Sequence, residues 1–182
     1  RLEFDYALQA AEVAMQYPEV PVKMTWSREE DMTHDAYRPL AIGKGQGTVK
    51  EGAIERFALH VASPSVAESQ AGRANFPLAG PDITIVAGSW DQPFAIPNRR
   101  VTGYRTPAMT PISSWRSVGA SVNGFLYNSF FDELAQKAGA DPLEERLRLC
   151  NHPESRLVLE KVKEMSGWTG PDLGENRGRG IA

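Results

Sequence analysis

The chain has 182 residues, with 20 Lys plus Arg against 23 Asp plus Glu, a net charge of -3 and 41% hydrophobic residues. That balance argues against a disordered or fibrous chain, and the lack of a basic excess argues against a nucleic-acid partner. A single cysteine, Cys150, excludes an intrachain disulfide framework, a zinc finger and any iron–sulfur cluster ligated by this chain alone.

From the N-terminus, Leu2 to Tyr17 spaces Leu2, Tyr6, Leu8, Val13 and Met15 as an amphipathic helix does, and Pro18 and Pro21 end it. Val22-Lys23-Met24-Thr25-Trp26 alternates apolar and polar side chains and predicts a half-buried strand. Ser27 with Glu30 three residues later is a capping box that opens a short helical turn. From Arg38 to Ser63 the pattern is β-like, with a hairpin turn at Glu51-Gly52. Residues 64–97 are rich in Pro, Gly, Ala and Ser and predict an irregular segment, which at that length is usually functional or packed against something else. Val101 to Arg105 predicts a further strand. A long helix follows from near Val118 to Ala138, with Phe125, Phe130, Phe131, Leu134 and Ala135 on one side and Gly139 as C-cap. Asp141-Pro142 opens a second helix with Glu144-Glu145 in its first turn, and a third runs from Glu154 to Ser166 and stops at Gly167. The class is α+β: a mixed sheet with a β-hairpin and packed helices. We expect one internal domain over residues 1–170 and a linker over 171–182, and Arg1 in place of Met fits a piece of a longer polypeptide. No apolar run approaches the ~20 residues that span a bilayer.

Most candidate motifs have a plainer structural role. Gly43-Lys44-Gly45-Gln46-Gly47 lacks the following helix that a phosphate cradle needs, so it reads as a glycine-interrupted strand approached closely by another backbone. Glu29, Glu30, Asp31, His34 and Asp35 fit no metal-ligand spacing and read as a capped helix start, so no metal site is assigned. His60 and His152 stand alone, and Cys150 closes an amphipathic pattern as a small buried hydrophobe. Two stretches remain. One is Met32 to Pro39, where Arg38 lies between Tyr37 and Pro39; the other is Ser114 to Asn123, where Ser, Gly and Asn place backbone N–H groups at the opening of the long helix. Each admits a plain structural turn as the alternative.

Ordered blocks then resemble a known family. Val22 to Met32 with His34-Asp35 and Arg38-Pro39, then Trp115-Arg116-Ser117-Val118-Gly119 and Asn123-Gly124-Phe125, are similar to the molybdopterin-binding (large, beta) subunit of bacterial molybdenum hydroxylases. Phe131-Asp132-Glu133-Leu134-Ala135, Asp141 to Leu147, Val158 to Val162, Gly167-Trp168 and Arg177 to Gly180 continue the likeness in order. The branch is that of isoquinoline 1-oxidoreductase and related aldehyde dehydrogenases, within the xanthine dehydrogenase family.

The resemblance implies oxidation of an N-heterocycle or aldehyde with water as oxygen source. It implies a molybdopterin cytosine dinucleotide cofactor, and electron exit through [2Fe-2S] clusters on a separate small iron–sulfur subunit. Arg38 would orient substrate or stabilise developing charge; Trp115, Arg116, Ser117, Val118 and Gly119 would face the cofactor, chiefly through main-chain N–H groups. The family's Gly-rich loop and its catalytic glutamate base have no counterpart in this chain. The expectation is therefore a fragment that is inactive without the rest of its subunit; a non-catalytic interaction module is the competing reading.

Overall fold

The computed structural model describes residues 4–76, 80–168 and 174–182; the expected helix start at Leu2 and residues 171–173 of the expected linker lie outside them. Helix α1 covers Asp5–Gln16 and helix α2 covers Arg28–His34, where Ser27 accepts a hydrogen bond from the Glu30 N–H at 3.1 Å as its capping box requires. Between them, Val22–Trp26 does alternate between half-buried and exposed, but it pairs with no other strand among the described residues. The predicted strand is an unpaired extended segment. Its alternation comes from packing against α1, with Tyr6 meeting the Trp26 ring edge-on and Gln9 accepting from the Trp26 indole N–H.

Strand β1 (Ile42–Lys50) and strand β2 (Ala53–Pro64) form the expected antiparallel hairpin. Its two turn residues, Glu51 and Gly52, both sit in the left-handed region (φ 52° and 76°), as a two-residue turn matching strand twist demands. Strand β3 (Asn98–Thr106) joins the other side of β2 in parallel, giving the order β1-β2-β3 and a mixed sheet.

A parallel neighbour needs a long crossover, and residues 65–97 are that crossover. The segment is not wholly irregular: it carries helix α3 (Val66–Arg73), capped by Ser65 at 2.9 Å, and a single 3-10 turn at Ile83–Ile85. Sequence periodicity missed α3 because it buries one residue, Val66, and holds its place by polar contacts instead.

Helix α4 (Ala120–Lys137) lies across the sheet and explains the glycines of β1. A Cβ at Gly43 would stand 2.7 Å from Leu126, at Gly45 2.5 Å from Phe130, and at Gly47 2.8 Å from Leu134. Two strand residues advance ~6.6 Å and four helix residues ~6 Å, so alternate glycines meet successive turns of the helix. The close approach expected at these glycines is made by helix side chains at Gly43 and Gly45, while at Gly47 the Arg56 backbone oxygen comes as near as Leu134, at 2.8 Å. Tyr127, Phe131, Leu134 and Ala135 are buried with Phe57, Leu59 and Val61 of β2, whereas Phe125 is 71% exposed and does not join the predicted face.

Helix α5 (Pro142–Leu149) is capped by Asp141, and helix α6 (Pro153–Ser166) by the His152 ring, ending at left-handed Gly167. Cys150 is half-buried against the core. Arg146 is the largest buried side chain. It donates to Asp132 at 2.5 Å, to the Asn128 side chain at 3.0 Å and to the Ile181 carbonyl at 3.2 Å, and stacks over the Phe131 ring. The architecture is α+β, as expected.

The chain exposes 12318 Å², well above the ~8,700 Å² that area scaling gives for a compact monomer of its mass. Large apolar side chains are among those exposed, on α1, in residues 37–42, at Met109 and, further along the chain, at Leu157, Val158 and Met165.

Candidate functional site

The structure joins the two stretches that sequence reading singled out. The Tyr37 N–H donates to the Pro111 carbonyl, and the Ser113 N–H donates back to Tyr37, both at 3.0 Å, forming an isolated parallel bridge. The Trp115 indole N–H donates to the Ala36 carbonyl at 2.9 Å. Arg38 then forks onto the next loop: one terminal nitrogen donates to the Val118 carbonyl at 3.3 Å, the other to the Arg116 carbonyl at 3.4 Å.

The loop so held is an unusual piece of backbone. Ser117 and Val118 both occupy the left-handed region, at φ 66° and 46°. That region costs roughly 1–2 kcal/mol for an ordinary residue and is most exceptional for a β-branched one such as Val118. The Ser117 hydroxyl donates to the Arg116 carbonyl and also meets the Ser121 hydroxyl. The Val118 N–H turns inward to the Trp115 carbonyl, and the Ala120 N–H to Ser117. The N–H groups of Ser117 and Gly119, and those of Ser121 and Val122 in the first turn of α4, meet no acceptor among the described residues. Four donors at the positive end of an 18-residue helix make a surface for an anionic or oxo-bearing group.

Two further segments brace this loop, and sequence reading assigned neither. Helix α3 supplies Gln70, which donates to the Ser113 and Ser114 hydroxyls at 2.8 and 2.9 Å, and Arg73, which donates to the Ile112 carbonyl at 2.9 Å. Residues 82–88 pass over the start of α4: the Asn123 amide donates to the Ile85 and Ala87 carbonyls, and a Cβ on Gly119 would lie 1.8 Å from the Thr84 oxygen. Asp82 anchors this crossing. One carboxylate oxygen accepts from Ser65 (2.6 Å) and the Ala67 N–H, the other from the Thr84 N–H (2.8 Å) and hydroxyl (2.6 Å). Burial raises its pKa, but these four bonds outweigh burial and hold it below the ordinary 3.8. The Pro81-Asp82-Ile83-Thr84 run was the available signal, since Asp folds back on the backbone two residues on.

Beside Arg38 an apolar hollow of about 730 Å³ opens between residues 37–42 and 106–112, edged by Leu40, Ile42 and Met109. The acidic group at Glu29 to Asp35 remains a capped helix, with the His34 ring against the Glu30 carbonyl at 3.0 Å; no group of three His, Cys, Asp or Glu among the described residues could hold a metal ion.

A molybdopterin cofactor-binding domain model matches residues 4–150. The chain belongs to that family. The domain is 25% identical over 167 residues to the beta subunit of isoquinoline 1-oxidoreductase from Brevundimonas diminuta, covering 88% of this chain and 21% of that protein. It is 40% identical over 63 residues to a nicotinate dehydrogenase subunit from Pseudomonas putida, covering 33% of this chain and 5% of that protein. The domain therefore spans about a fifth or less of the length of these curated relatives. Its unpaired donors suit such a cofactor: oxo and phosphate oxygens are acceptors only, and Gly119 keeps the loop pressed against Thr84 where no other residue fits.

Proposed function

We propose that this domain forms one wall of the active site in a molybdenum hydroxylase that oxidises an N-heterocycle or an aldehyde with water as the oxygen source. The carrying observation is the set of unpaired N–H groups at Ser117, Gly119, Ser121 and Val122, in a domain of this family. The loop Trp115 to Gly119 faces the cofactor, which we take as molybdopterin cytosine dinucleotide; when bound, it accepts the two electrons of the oxidation. Main-chain donors there hold acceptor oxygens without carrying a net charge of their own, so they stabilise charge as it develops.

Arg38 has three N–H groups left beyond its two loop bonds, and these orient a substrate heteroatom or carbonyl. Val118 leaves more room than an aromatic residue would at the same place. The general base, and the rest of the cofactor envelope, come from the remainder of the large polypeptide. Residues 1–170 act as one internal domain, with 171–182 leading onward. The apolar hollow beside Arg38 and the 12318 Å² of exposed surface support extensive contact with other polypeptide. Electrons pass to [2Fe-2S] clusters on a small iron–sulfur partner.

Metal analysis of the full-length protein, paired with turnover of an aldehyde and a nitrogen heterocycle using an electron-accepting dye, tests this reading. About one molybdenum per full-length chain with turnover by the complex, and none by the isolated domain, is the expected result. Fully active protein lacking molybdenum would overturn it and leave the domain as an interaction module.

A further inference from the structure

We propose that Arg38 is a positioning residue that turns the Ser117 and Gly119 N–H groups outward by gripping the carbonyls on the far side of the same peptide planes. In a trans peptide the C=O and the following N–H point in opposite directions. The Arg116 carbonyl shares a plane with the Ser117 N–H, and the Val118 carbonyl shares one with the Gly119 N–H. Arg38 holds those two carbonyls, at 3.4 and 3.3 Å, and neither of the alternate pair. The intervening peptide is reversed: its N–H, on Val118, turns in to the Trp115 carbonyl at 2.8 Å. Both Ser117 and Val118 hold a positive φ in this arrangement, and neither adopts it cheaply.

The planar guanidinium suits this task. Its two terminal nitrogens donate in a fixed fork, so one side chain reaches two carbonyls two residues apart. It also arrives on a segment clipped to the same loop by the Tyr37 and Trp115 bonds, so little freedom is lost in placing it. A lysine would bring a point charge on a flexible stem and would not enforce both planes together. The conformational role stands on the structure alone. The consequence for the cofactor rests on the reading given above.

The test uses the full-length protein assembled with its partners, as wild type, Arg38→Ala and Arg38→Lys. Hydrogen–deuterium exchange followed by mass spectrometry reads the loop, and the Mo(V) electron paramagnetic resonance signal of reduced enzyme reads the cofactor surroundings. Arg38→Ala is expected to raise exchange several-fold in peptides spanning 111–122, with other peptides and the melting temperature little changed. Arg38→Lys should fall between the two. The Mo(V) signal should shift in line with exchange, while bulk stability stays level. Unchanged exchange at 111–122 overturns the proposal, as does a rise spread over the whole protein, which would make Arg38 an ordinary structural residue. Raised local exchange with an unaltered Mo(V) signal upholds the brace and overturns instead the placement of this loop against the cofactor.

Discussion

The packing of α4 on the sheet and the clip between residues 36–38 and 111–119 are built on opposite principles. In the first, side-chain volume decides everything: three glycines open a trough in β1, and Leu126, Phe130 and Leu134 fill it. In the second, most of the joining bonds end on main-chain atoms, and side chains such as Arg38 and Trp115 serve to hold carbonyls in place. The sheet side of the molecule tolerates polar change at its surface but little change in volume. The loop side depends on where peptide planes point, so small backbone disturbances there carry large chemical consequences.

Substitutions can press on that contrast, beginning with the largest effect. Arg146→Ala removes a buried cation and strands Asp132 and Asn128, with an expected loss of about 4 kcal/mol in denaturant unfolding. A loss below ~1 kcal/mol would mean water replaces the guanidinium at little cost. Next, Gly119→Ala drives a Cβ into the Thr84 carbonyl, which as backbone cannot rotate aside. About 3 kcal/mol is expected, together with loss of bound molybdenum in the assembled enzyme; stability falling with metal retained would separate the loop from the cofactor. On the sheet side, Gly45→Ala meets the Phe130 ring, which can shift in part, so about 2 kcal/mol is expected by thermal unfolding.

Asp82→Asn should have a smaller effect, about 1 kcal/mol at neutral pH, because the amide oxygen still accepts some of the four bonds. The acid limb carries the sign. A carboxyl with its folded pKa depressed contributes stability that is complete above its ordinary 3.8 and is lost as pH falls below that value through the folded pKa. Wild-type stability should therefore drop on acidification below about pH 4 through this group, and the asparagine variant should lack that component of the slope. Parallel slopes would show that Asp82 is not the group responsible. The smallest effect has the opposite sign. Gly124 lies inside α4 with nothing within 4 Å of a built Cβ, so Gly124→Ala should stabilise by ~0.5–1 kcal/mol. A destabilising result would reveal close packing on that face.

Legibility in the sequence followed the same division. The hairpin at Glu51-Gly52, the Ser27 and Asp141 caps and the long helix were all readable, because each depends on residues within a few positions of one another. Val22–Trp26 had the right period for a strand and no neighbour to pair with, since alternation reports on burial and not on hydrogen-bond partners. Helix α3 escaped because its seat is polar: Gln70 and Arg73 reach Ser113, Ser114 and the Ile112 carbonyl, far along the chain. Phe125 falls off the expected face because aromatic spacing alone does not say which stripe meets the sheet.

By itself, then, the sequence determined the α+β class, the local elements and membership in a molybdopterin-binding family, all of which rest on short-range patterns and ordered blocks of residues. Tertiary structure alone decided that Arg38 grips the loop 78 to 80 residues away, that Thr84, on the segment Asp82 anchors, presses on Gly119, and that the donors of Ser117 and Gly119 are left free. The physical reason is that the direction of a peptide plane is set by contacts between distant segments. No residue type announces it.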